Sequence, residues 1–188
     1  MDGSCSTICT NPRHREGIAD TGSQELSQVP RKLSSPTACR LIFVILLVSQ
    51  LSLVWVYPRF ATEDGPSHLY NAAVIAGLRS GSWRGLSTFY RLNPQPIPNL
   101  TTYVILVELM KEFSPATAEK VLVTGYFVLF TLSFWWVIKL VRPDSEHFLV
   151  WGLALVSNWF ILMGFYNFCY GLAFFLLCFG YWLKSVVS

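Results

Sequence analysis

The chain has 188 residues, of which 53% are hydrophobic and 13% charged, about half the charge of an ordinary soluble domain. The net charge is only +3 and no basic block is interleaved with aromatics, so nucleic-acid binding has no support. Five cysteines (Cys5, Cys9, Cys39, Cys169 and Cys178) show no CxxC spacing; an odd set scattered through tail and apolar sequence reads as free thiols, not a zinc site or disulfide framework.

Residues 1–37 are polar and have no apolar period, which predicts a disordered cytoplasmic tail. The stretch from Leu41 to Tyr57 then carries no charge and, with Ala38 and Cys39, approaches the roughly 20 residues that cross a bilayer. Arg31, Lys32 and Arg40 precede it and Trp55 and Tyr57 close it. Basic flanks stay cytoplasmic, so the N-terminus is expected inside and residues 58–98 outside, in a plasma (inner) membrane. That loop is too polar to span. Pro66 suits the first turn of a helix, and Leu69, Ala72, Ala73 and Ala76 form a modest apolar stripe, predicting a short helix on the membrane surface over about 66–79. The alternating prolines of Asn93–Asn99 require an extended loop. Further spans are expected at about 99–112, 118–140, 147–165 and 166–184, after a first at 38–57. Ser114 and Pro115 look like the cap and first position of the third. Five spans with one long loop predict an all-α, polytopic transmembrane bundle over 38–188, expected to be the front part of a larger, truncated protein.

The chemistry-bearing stretch is "PRFATEDGPSHLYNA", from Pro58 to Ala72. Glu63 and Asp64 precede the predicted surface helix, where free N–H groups and the helix dipole favour negative charge. A carboxylate there can accept a proton from a hydroxyl or coordinate a divalent cation. His68 follows on the first turn, close enough to share a hydrogen-bond network, and Gly65 permits a sharp bend or a close approach. Acids before a proline are also common helix caps, so both readings stand at this point.

In its order (span, acidic pair, juxtamembrane helix, long loop, further spans) the chain resembles the GT-C class of membrane glycosyltransferases. The resemblance implies an inverting transfer from a polyprenyl-phosphate sugar, with the acid after the first span serving as base or helping to organise a metal. On that template Asp64 is the expected base and Glu63 its neighbour, together the candidate metal ligands. A lipid phosphate would need cations, and Arg59, Arg84 and Arg91 with His68 are the candidate substrate-binding residues. Membrane lipids and a lipid-linked sugar are then the expected partners. The class has more spans than this chain, and later loops often hold its donor contacts.

The alternative is a non-catalytic multi-span protein, part of a transporter or a scaffold subunit. It would use Glu108, an acid in a predicted span, and the polar groups of Asn158, Tyr166, Asn167 and Tyr170 as path-lining residues. The bland expectation is that Glu108 reaches Lys111 and that the others join helices.

Overall fold

The computed structural model describes residues 36–187 other than 94, 96 and 97. The tail expected over 1–37 thus lies outside the described residues except for its last two positions, and the proline loop is described only in part. Among the described residues the protein is all-helical, without strands. The elements are α1 (Pro36–Val56), α2 (Gly65–Ser80), α3 (Leu86–Phe89), α4 (Leu100–Leu109), α5 (Pro115–Val141), α6 (Leu149–Val156), α7 (Trp159–Met163) and α8 (Tyr166–Val187).

Three of these are long and apolar enough to cross a membrane: α1, α5 and α8. At 1.5 Å per residue, 20 or more residues match the roughly 30 Å hydrocarbon thickness. By length and composition this is a multi-pass membrane protein. The remaining two expected spans take other forms. The segment at 99–112 yields only the 10-residue α4, about 15 Å long. The segment at 147–165 is split, because α6 stops at Val156 and α7 begins at Trp159. Asn158 causes the break: its side chain accepts from the Ile161 N–H (3.2 Å) and so caps a new helix. Together α6 and α7 still carry the chain back along the bundle, from Leu149 beside Arg40 and Phe43 to Leu162 beside Tyr57.

Helix α5 is the hub, with α1, α2, α4, α6 and α8 all packed on it. Its start follows the expected chemistry, since Ser114 Oγ accepts from the Thr117 N–H (3.3 Å). The core lies along it, from Ala118 through Leu122, Val123, Tyr126 and Phe127 to Phe130. Tyr166 meets Glu119, Tyr170 meets Leu122, and Gly180 meets Trp136; α8 therefore runs parallel to α5. The end of α1 is pinned to the start of α5. Lys120 donates to the Tyr57 carbonyl and lies 5.6 Å from the centre of the Trp55 ring, whose N–H donates to Thr124 (3.1 Å). The C-terminus of α1 and the N-termini of α5 and α8 thus gather at one end of the bundle, where α2 packs against α4 and α5.

The buried face of α2 differs in phase from the expected stripe. Gly65, His68, Ala72, Val74 and Gly77 are buried, while Leu69, Ala73 and Ala76 are half-buried. The helix turns His68 inwards because Tyr103 and Tyr166 flank the imidazole, each ring centre 5.6 Å away.

Candidate functional site

The acid pair sits where the chain passes from α1 into α2. Its backbone is held by α7: the Glu63 N–H donates to the Leu162 carbonyl (3.0 Å) and the Asp64 N–H to the Met163 carbonyl (3.1 Å). These are two main-chain bonds of the kind that fix a segment's position irrespective of its side chains. Gly164 follows at φ +83°, and a Cβ on it would lie 3.1 Å from the Gly65 nitrogen and 3.2 Å from Asp64 Cβ. Only glycine combines that left-handed backbone with so close an approach.

Asp64 is the N-cap of α2, yet its side chain makes no capping hydrogen bond. Asp64 is half-buried and Glu63 exposed. The cap reading of these acids therefore fails for the side chain of Asp64, which leaves its oxygens available for other work.

His68 is 6% exposed and its Nδ1 is buried without a hydrogen-bond partner. Burial holds the imidazole below its ordinary range, with the Asp64 charge and the Gly164 backbone pulling the other way. Beneath the loop lies a residue that the sequence reading did not single out. Glu119, on the first turns of α5, is 2% exposed. It accepts from the Tyr166 hydroxyl (2.6 Å), and the single Thr62 hydroxyl hydrogen is shared between Glu119 (3.4 Å) and the Tyr166 oxygen (3.1 Å). A Cβ on Gly65 would fall 2.2 Å from the Glu119 carboxylate, so the glycine lets the backbone pass directly over it.

Of the expected cations, Arg59 lies in this region. It acts electrostatically on Glu119 and lines a cleft of about 780 Å³ between α1, the loop and α7. The rest of that wall is almost wholly apolar, from Leu53, Val54, Phe60, Phe127, Ile161 and Leu162 among others. Arg84 and Arg91 are exposed on either side of α3, and no hydrogen bond or ion pair joins them to the acids among the described residues. No group of three or more His, Cys, Asp or Glu side chains is placed to hold a metal ion among the described residues.

The other polar groups have structural partners. Glu108 is exposed and paired with Lys111. Asn167 accepts from both the backbone and the hydroxyl of Thr102, which ties α8 to α4. Tyr170 donates to the Leu122 carbonyl (2.7 Å) and Asn158 to Tyr126 (3.4 Å). Compared with protein families, curated proteins and solved structures, the chain matches none of them.

Proposed function

We propose that the chain is a membrane glycosyltransferase of the GT-C kind, or the N-terminal part of one, working at the extracytoplasmic face of the plasma (inner) membrane. In this reading the N-terminus is cytoplasmic and the loop from Pro58 is outside. Asp64 accepts the proton of the acceptor hydroxyl while that oxygen bonds to the anomeric carbon. The bond from that carbon to the phosphate oxygen breaks, and polyprenyl phosphate leaves with inversion at the sugar. Glu63 is the second carboxylate, and the pair can share a divalent cation.

The observation that carries the reading is the state of Asp64. Its backbone is fixed by α7 and its carboxylate makes no capping hydrogen bond, and Pro58, Arg59, Phe60 and Ala61, just before the pair, line an apolar cleft. A long isoprenoid chain suits apolar walls, and Arg59 at the same cleft suits a phosphate, since a guanidinium forks onto its oxygens. His68 stands one turn away as a neutral group able to orient a hydroxyl.

The test is Asp64→Asn in the full-length protein, assayed with a polyprenyl-phosphate sugar in membranes. Transfer should be abolished while membrane insertion stays intact. Normal transfer by this variant would remove Asp64 as base.

A further inference from the structure

We propose that Glu119 is a positioning residue, a buried carboxylate that clamps the acid loop onto α8 through Thr62 and Tyr166. Thr62 is the residue next to Glu63, so whatever holds its side chain sets where the following two amides lie. Its hydroxyl meets two partners from different helices: Glu119 of α5 at 3.4 Å and Tyr166 of α8 at 3.1 Å. The Tyr166 hydroxyl closes the triangle by donating to the same carboxylate oxygen at 2.6 Å. Hydrogen bonds to a carboxylate inside a protein are among the stronger ones.

The clamp has little to do with joining α5 to α8. Leu122, Val123, Tyr126, Cys169 and Ala173 already pack in one core cluster below it, and Tyr170 supplies a separate hydrogen bond between the two helices. What the triangle adds is a third attachment for residues 62–64, besides the two backbone bonds to α7. Gly65 makes this geometry available, because any side chain there would fall on Thr62 Oγ1 and the Glu119 carboxylate.

Amide hydrogen exchange of the full chain in detergent micelles reads the clamp directly, at the Glu63 and Asp64 N–H groups that bond to α7. Thr62→Val and Tyr166→Phe should each accelerate exchange at these two amides about tenfold, the loss of one bond to a charged group. Thr62→Ser, which keeps the hydroxyl, and Tyr170→Phe, which cuts the neighbouring helix bond, should leave them at the wild-type rate. Unchanged exchange in both Thr62→Val and Tyr166→Phe overturns the proposal, as does acceleration spread evenly along α5 and α8. The kinetic arm rests on the glycosyltransferase reading. There, Thr62→Val should lower kcat about tenfold with KM unchanged, and Thr62→Ser should restore it; unchanged kcat with a loosened loop overturns the positioning role. Loosening in these two variants as expected, together with a wild-type chain that shows no transfer activity, keeps the clamp and removes the glycosyltransferase instead.

Discussion

At the scale of single residues, Gly164 sets the close approach of the chain beside the acid pair. Gly164 and Gly81 both have positive φ, +83° and +65°, but a Cβ on Gly81 meets nothing within 4 Å, whereas one on Gly164 meets Gly65 and Asp64. An L residue in the left-handed region costs about 1–2 kcal/mol. Gly81→Ala should therefore lower stability by about that much, and Gly164→Ala by distinctly more, as measured by denaturant titration in micelles. Equal losses would mean that the corner beside Asp64 yields freely. His68 makes a second prediction, concerning pH. Its folded pKa lies below its unfolded value of about 6.5, so the unfolded chain takes up the proton first. Stability should be full above pH 6.5 and fall as the pH drops below it, with a slope of less than one proton. His68→Phe should remove that part of the slope. The position of Glu63 and Asp64 was legible in the sequence because the signals are local: an apolar run, two acids, a glycine and a proline. Glu119 was not legible. An acid followed by a lysine near a helix start looks solvent-exposed, and its partners Thr62 and Tyr166 are 57 and 47 residues away.

At the scale of elements, hydropathy identified apolar segments well but not their continuity. Residues 148–165 look like one span because the polar Ser157 and Asn158 are outnumbered by large apolar neighbours. Their backbone tells otherwise: a side chain able to accept from the N–H three residues on competes with helix continuation. The signal was present as Asn158 ahead of a short apolar run, but it resembles the helix-joining asparagines of membrane bundles. The same residue donates to the Leu155 carbonyl (2.8 Å), so it closes α6 as well as opening α7. Asn158→Ala should cost about 1 kcal/mol, in the usual range for an N-cap, and Asn158→Asp should retain most of the cap. A lower thermal midpoint for the alanine variant alone, followed by circular dichroism, would bear this out. Because α7 supplies the carbonyls that hold Glu63 and Asp64, the alanine variant should also loosen the acid loop. Helix breaking and site positioning are thus one feature.

At the scale of the whole molecule, the surface makes sense only against lipid. Along α1, Leu41, Ile45, Val48 and Leu53 are all more than half exposed, and Val54, at 1%, is its one buried large apolar residue. A water-facing helix of that kind would present an apolar patch far beyond what soluble monomers show. In a bilayer the same face has its proper solvent, and the packing of α1 on α5 and α6 needs only a few contacts, such as Gln50 donating to the Leu153 carbonyl (3.1 Å) and Trp55 to Thr124. The two environments give opposite expectations for a charge placed mid-helix. Val48, 59% exposed and near the centre of α1, should accept lysine within about 0.5 kcal/mol if it faced water. Facing hydrocarbon, Val48→Lys should cost about 2.5–3.5 kcal/mol of insertion free energy. A translocon insertion assay with a reporter on either side of α1 separates these outcomes. Strong loss of insertion for Val48→Lys, with little effect for Ser52→Lys nearer the end where the side chain can reach the interface, is the expected result. Free tolerance of Val48→Lys would place this face in water, and the acid loop at the end of α1 would then lose its position at a membrane surface along with its claim on a lipid-linked substrate.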